Sequence, residues 1–246
     1  MSIGVVLNTY KRRDYFNKQF FAVCNQTLRA DRLIVNRNDD WSDVPFDKGW
    51  SNRSDKAEDL DWVKSARNAG VYRRFCIGLD LETDYLLFLD DDTIPGPEFI
   101  ENLVKCHEEE PGLYSAAGFI VNHKNYFDRI TVGWPNPAFS KTKRRVDWPG
   151  HAWFFHKRVL LEAYNIPRCP LSNFCGEDMR LAFAAQRLGL NSYVTPYNDS
   201  MSNWGSVNGQ NGNDQFATFR LPNQKETMHK AMDYYRGLGW KYMSEK

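Results

Sequence analysis

Tyr85-Leu86-Leu87-Phe88-Leu89-Asp90-Asp91-Asp92 decides the fold, because an aromatic-aliphatic run of five residues ends without transition in three carboxylates. A short apolar run with no alternation is the pattern of a strand buried on both faces, as in a parallel sheet. Two further runs behave in the same way: Ile3 to Leu7 stops at Asn8, and Leu33 to Val35 stops at Asn36. Between the runs lie helix-compatible stretches, Asp14 to Thr27 and Asp59 to Gly78, so the chain is predicted to open β-α-β-α-β. In open sheets of this Rossmann-like kind, ligands bind beyond the carboxyl ends of the strands, which is where Thr9, Asp39 and Asp90 belong.

Downstream, Pro97 can open a helix whose Phe99, Ile100, Leu103 and Val104 form one apolar stripe. Leu113 to Arg145 is less regular and reads as strands and loops of an acceptor side. From Glu177 onward Leu181, Ala184, Ala185 and Leu188 recur at helical spacing, and Gly189 stands where the helix should end. Asn198 to Asn213 is rich in Asn, Ser and Gly, which predicts a mobile loop. The expected organisation is a single α/β domain over 1–246: a nucleotide-binding half at 1–95, an acceptor-side half at 96–197, and a loop with a helical extension at 198–246.

The bulk composition narrows the function classes. With 246 residues, 42% hydrophobic and 26% charged, the chain is long enough for one sizeable core and is neither disordered nor membrane-embedded. Its 32 basic and 31 acidic side chains leave a net charge of +1, so no whole-molecule field draws it to nucleic acid or anionic lipid. Five cysteines without a CxxC pair favour reduced thiols and a cytoplasmic location. The five-residue apolar run at the N-terminus is too short for a signal-peptide core or a transmembrane segment. Aromatic residues reach 15%, and those not needed for the core can stack on sugars or bases.

Adjacent carboxylates at Asp90, Asp91 and Asp92 repel one another and are most easily sustained around a cation. In an extended segment Asp90 and Asp92 would point to one side and Asp91 to the other. Two carboxylates plus diphosphate oxygens suit Mg²⁺ or Mn²⁺, although a solvated acidic turn that caps the following helix is the plain alternative. Glu177 and Asp178 open the later helix. An acid there is commonly a cap, but the uncharged Phe174-Cys175-Gly176 turn before it could desolvate the carboxylate and make it a better base.

Four segments in order, Leu7-Asn8-Thr9-Tyr10-Lys11-Arg12, Ser65-Ala66-Arg67-Asn68-Ala69-Gly70, Phe88-Leu89-Asp90-Asp91-Asp92 and Gly176-Glu177-Asp178-Met179-Arg180-Leu181, resemble the inverting family 2 glycosyltransferases and their GT-A relatives. The resemblance covers roughly residues 3 to 195. It implies a nucleotide-sugar donor, a UDP-sugar foremost, a glycan or other hydroxyl acceptor, and Mn²⁺ or Mg²⁺. It also implies site roles. Thr9, Tyr10 and Arg12 would touch the nucleotide, Arg67 the base or diphosphate, and Asp39 the uracil or ribose, with Asn36 or Asp40 as the alternative equivalents. Asp90 and Asp91 would lie at the donor, Asp92 with Asp90 at the metal, and Asp178 would be the general base with Glu177 as its competitor. The downstream histidine of the family, a third metal ligand, is represented here only by His229, about fifty residues beyond Asp178.

Other residues carry weaker expectations. His151 falls where the family lines the donor sugar or acceptor, Lys141, Lys143, Arg144 and Arg145 could grip an anion or form a solvated face, and Tyr126, Trp134 and Trp153 could stack on a sugar or fill the core. Asp90-Asp91-Asp92-Thr93-Ile94 also looks like the loop of haloacid-dehalogenase-type Mg²⁺-dependent phosphatases. That loop normally follows the first strand, however, and would leave Arg67 and Asp178 without a role. A sugar-binding protein that has lost catalysis is the remaining alternative, against which the intact Asp90, Asp92 and Asp178 count. A nucleotidyltransferase would need a glycine-rich loop after the first strand, and Asn8 to Arg12 contains no glycine.

Overall fold

The computed structural model describes residues 1–38, 60–65, 67–122, 125–133, 141–171, 174–207 and 214–245. Its centre is an eight-stranded sheet built around the three predicted runs: β1 (Ile3–Thr9), β2 (Arg32–Arg37) and β4 (Tyr85–Leu89). β1 pairs in parallel with both β2 and β4, which brings Thr9, Arg37 and Leu89 to one edge. The sheet continues with β10 (Ala152–His156), which runs antiparallel to β4, then β5 (Gly112–Ser115), β11 (Asn191–Val194) and β8 (Arg144–Val146). A second, three-stranded sheet joins β6 (Ala117–Ile120) to β7 (Ile130–Gly133) and β9 (Trp148–Gly150).

Alternation along the buried strands feeds two cores. Leu86 and Phe88 of β4 face one layer with Val6, Phe75, Trp153 and Phe155, whereas Leu87 and Leu89 face the other with Val5, Leu7, Phe20 and Phe99. Burial on both faces explains why these runs show no polar alternation. Helices cover both layers: α1 (Arg13–Cys24) and α3 (Phe99–Glu109) contribute to one, and α2 (Arg73–Asp80), α4 (Arg158–Asn165), α5 (Glu177–Arg187) and α6 (Gln224–Gly237) to the other.

The expected helix from Asp59 to Gly78 is corrected. Leu60–Lys64 forms β3, a parallel edge strand on β2, and helix begins only at Arg73. β3 is half exposed and lacks an apolar run, so its strand character comes from pairing with β2 rather than from its own pattern. Within the Asn198 to Asn213 segment, residues 208–213 lie outside the described residues. The preceding part uses its polar composition for local and tertiary hydrogen bonds: the Ser202 carbonyl accepts from Glu98 N at 2.7 Å, the Trp204 carbonyl from Gly96 N at 2.8 Å, and the Ser206 hydroxyl from Ile94 N at 3.2 Å. No helix among the described residues is long and apolar enough to cross a membrane.

One glycine sets how closely α2 lies on the sheet. A Cβ at Gly78 would meet the Phe88 ring at 2.4 Å, and that ring is fully buried between Phe75 and Phe155 and cannot retreat. Gly78→Ala should therefore destabilise the chain by about 1–3 kcal/mol despite the better helix propensity of alanine. Gly237→Ala, where a Cβ meets nothing within 4 Å, should be neutral or stabilising by up to about 1 kcal/mol. Urea denaturation of both variants checks the pair; a stabilised Gly78→Ala would contradict the close packing.

Candidate functional site

The site begins where the strands stop. Asn36 Nδ2 donates to Asn8 Oδ1 at 2.6 Å across the buried ends of β1 and β2. Just beyond, Asn38 donates to Asn68 Oδ1 (3.0 Å) and the Gly70 carbonyl (3.1 Å) while its own Oδ1 accepts from Ala69 N (3.0 Å). This clasp holds the segment with the exposed Arg67 beside the strand ends. Thr9 is buried, with its hydroxyl lacking a hydrogen-bond partner, and Lys11 Nζ lies 5.1 Å from the centre of the half-buried Tyr10 ring. Asp39, Ala66 and Trp134 fall outside the described residues.

The acidic triplet is a tight turn rather than an extended strand end, since Thr93 N donates to the Asp90 carbonyl at 3.0 Å. Gln19 of α1 staples it by donating to the carbonyls of Asp90 (2.5 Å) and Thr93 (2.7 Å). Asp90 and Asp92 share one group, while Arg12 Nη1 meets both Asp91 and Asp92. Because β10 is antiparallel to β4, the residue before β10 stands opposite Asp90. The carbonyl of that residue, His151, accepts from Asp90 N (3.0 Å) and from the Thr93 hydroxyl (2.9 Å). His151 adopts φ +64°, a left-handed conformation costing about 1–3 kcal/mol in a non-glycine residue. Its Nδ1 is thereby set 4.0 Å from Asp90 Oδ2 and 3.9 Å from Asp92 Oδ1.

Asp90, Asp92 and His151 can each offer one atom to a point, all within 4.8 Å of one another. Asp92 Oδ1 is buried and has no hydrogen-bond partner, a costly arrangement that a cation would relieve. Two carboxylates and an imidazole suit Mn²⁺ well and Mg²⁺ acceptably, so the residues fit the expected metal. His229 is not brought to this group. It lies on α6 with Nε2 3.7 Å from Asp233 and its ring 5.8 Å from that of Phe127.

Cations balance the remaining charge. Arg12 pairs with Asp91, lies 3.2 Å from Asp92 Oδ2, and makes a two-pronged contact with Asp214 at 2.7 and 2.9 Å. Arg74 of α2, nearly inaccessible to solvent, reaches Asp90 Oδ1 at 2.5 Å. Burial raises Asp91 to about 7 even beside Arg12. Burial would also raise Asp92, but His151 and Arg12 outweigh it and hold the carboxyl below its ordinary value. Arg74 and Asp214, together with the metal-ligand placement of His151, went unread in the sequence: no local pattern announces a partner that arrives through helix packing or strand pairing.

Gly176 takes φ +87° and starts α5, with a hypothetical Cβ only 3.3 Å from Ala231 Cβ. That turn buries the first carboxylates of the helix. Burial raises Glu177 to about 7, with Arg74 opposing, and raises Asp178 well above its ordinary value, with the Glu177 charge reinforcing the effect. Asp90 adds to the rise at both, so the pair and the acidic turn share one field. Of the other residues singled out, Trp153 packs in the core against Phe75 and under Arg74, and Tyr126 is buried against Trp148. Lys141 and Lys143 pair with Asp199 (3.0 Å) and Glu110 (2.9 Å).

No protein-family model and no curated protein matches this sequence. Solved structures do. A crystal structure of GalNAc-T7 with UDP, GalNAc and Mn²⁺ superimposes on 80% of the chain with TM-score 0.63 at 11% identity. A crystal structure of S. aureus TarS residues 1–349 in complex with UDP covers 81% with TM-score 0.55 at 15% identity. The chain spans 42% and 58% of those two chains. At such identities the likeness shows the fold, and the fold is GT-A.

The carboxylate pair gives a test that needs no substrate. Carboxyl ¹³C NMR should show Glu177 titrating at about 7 and Asp178 holding its proton well above the ordinary carboxylate range. In Asp178→Asn the loss of the neighbouring charge should not raise Glu177 further. Two ordinary titrations near pH 4 would contradict the burial argument.

Proposed function

We propose that this chain is a metal-dependent glycosyltransferase that moves a sugar from a UDP-sugar to a hydroxyl acceptor, a glycan foremost, with inversion at the anomeric carbon. The observation that carries the reading is the pairing of two unlike carboxylate environments. Asp90, Asp92 and His151 form a cation-ready group around an unsatisfied oxygen, and the buried, proton-seeking Asp178 lies within reach of the Asp90 charge. The UDP in both solved neighbours, and the Mn²⁺ in one, support the choice of donor and metal.

Asp90, Asp92 and His151 would hold Mn²⁺ or Mg²⁺, which supplies charge neutralisation for the departing diphosphate. Thr9, Tyr10 and Arg67 would contact the nucleotide; Asp39, expected beside them from the resemblance, lies outside the described residues. Asp91 orients Arg12 at the same strand edge, where the guanidinium can turn to a phosphate oxygen. Asp178 accepts the proton of the acceptor hydroxyl as that oxygen bonds to the anomeric carbon and the bond from that carbon to the diphosphate oxygen breaks. Attack from the face opposite the leaving group inverts the configuration. A base with an elevated pKa near the working pH is the efficient kind, and burial supplies that elevation here. Glu177, paired electrostatically with Arg74, tunes Asp178 through its charge.

Three measurements bear on this reading. A screen of UDP-, GDP- and dTDP-sugars with Mn²⁺ or Mg²⁺ should find UDP release, and chelation should abolish it. Asp92→Asn should weaken Mn²⁺ binding by at least about tenfold, comparable to losses from disturbing ligand surroundings. Asp178→Asn should lower turnover about 10²- to 10⁴-fold while UDP affinity changes little. Full activity in Asp178→Asn with a dead Glu177→Gln would move the base to Glu177, and full activity in both would refute the mechanism.

A further inference from the structure

On the turn that packs against α6 stands a cation that no carboxylate among the described residues answers. Other arginines find acids: Arg12 and Arg74 at the acidic turn, Arg187 with Glu162 at 2.7 Å, and Arg236 with Glu245 at 2.9 Å, while the buried Arg180 spends Nε and Nη2 on the Ile166 carbonyl at 3.0 and 2.6 Å. Arg129 differs. It follows the short 3-10 turn Tyr126–Asp128, and its guanidinium carbon lies 4.0 Å from the Tyr126 ring centre and 5.2 Å from that of Phe119. Nη1 donates to the Tyr126 carbonyl at 2.9 Å, Nε is buried without a hydrogen-bond partner, and among the described residues no Asp or Glu pairs with it.

Packing leads from Arg129 toward Asp178: the Tyr126 ring under the guanidinium stacks on Trp148 at 6.2 Å, and Phe127 of the same turn meets His229 of α6, the helix whose Ala231 lies against Gly176 at the start of α5. Burial raises the Tyr126 hydroxyl to about 12, while Arg129 opposes and Asp178 and Cys175 reinforce that rise. One ring thus lies within the electrostatic reach of both Arg129 and Asp178. The same turn carries Phe127, which is 51% exposed and flanked by the His229 ring. An exposed ring two residues before an unanswered guanidinium on one turn is a pairing that can bind a sugar and an anion together. A guanidinium stacked on rings is also weakly hydrated, so an arriving anion displaces little water. The other charged groups at this wall are already engaged: Asp128 accepts from Asn125 Nδ2 at 3.4 Å, and His229 faces Asp233.

We propose that Arg129 selects an acidic acceptor, a sugar whose carboxylate or phosphate meets the guanidinium while its ring lies on Phe127 and its hydroxyl points to Asp178. This deepens the glycosyltransferase reading and rests on it for the word acceptor.

The test titrates methyl β-glucuronide, glucose 6-phosphate and methyl β-glucoside against the full chain saturated with UDP and Mn²⁺, followed by saturation-transfer NMR. At least one acidic probe should bind about tenfold tighter than the neutral glucoside, as expected for charge-assisted hydrogen bonds. Which of the two does so distinguishes carboxylate from phosphate. Arg129→Gln should erase the preference, and Arg129→Lys should retain part of it. The Nε–Hε resonance of Arg129 in the unmutated chain, shifting with the acidic probes and not with the glucoside, keeps the test independent of how the variants fold. Equal binding of all three probes, or a preference that survives in a folded Arg129→Gln, overturns the proposal. UDP binding measured separately divides the two readings. UDP bound without acidic preference sinks the acceptor proposal alone, whereas acidic preference without UDP binding upholds the anion anchor and sinks the transferase.

Discussion

Three successive carboxylates at the end of a buried strand impose the main constraint on this molecule. An ion removed from water costs several kcal/mol unless it is paired, and here three lie side by side. The chain answers with cations from three places that only folding brings together: Arg12 after β1, Arg74 on α2 and His151 before β10. Each answer fixes an element. Arg74 ties α2 to the acidic turn at the same side where Gly78 lets the helix settle on Phe88. His151 reaches the turn because β10 runs antiparallel beside β4, and its strained backbone is held by two hydrogen bonds to one carbonyl.

The same constraint divides chemically similar groups into different roles. Asp92 keeps its charge because His151 and Arg12 outweigh its burial, while Asp178 resists ionising because burial and the Glu177 charge act together. Separation of pKa values among neighbouring carboxylates is how one site can hold a cation at some of them and receive a proton at another. No special residue type is needed for either task.

Much of this was legible in the chain itself, and the parts that were not share a cause. β1, β2 and β4 announced themselves because burial on both faces leaves uninterrupted apolar runs. The α3 and α5 helices announced themselves through their stripes. β3 did not, since a half-exposed edge strand borrows its structure from its neighbour. The acidic cluster was visible, but its backbone is a hydrogen-bonded turn rather than the extended strand end that the apolar run before it suggested. The placement of His151 beside Asp90 and Asp92, and Arg74 altogether, were hidden because they depend on strand pairing and helix docking, which the local pattern does not encode. Asp214 was hidden by distance, 202 residues from Arg12.

That distance has a kinetic meaning. Closing a contact between residues 12 and 214 requires nearly the whole chain to be gathered first, and the entropy of such closure must be met before the contact gives anything back. The central strands can pair over shorter spans, 28 residues between β1 and β2 for instance. The acidic turn would then be among the last regions to acquire its full set of partners, after the sheet has formed. Pulse-labelling hydrogen exchange should find amides of β1 and β4 protected before those of Asp214 and its neighbours; the reverse order would contradict this. A chain arranged in this way holds its concentrated negative charge open to water until the scaffold able to contain it exists.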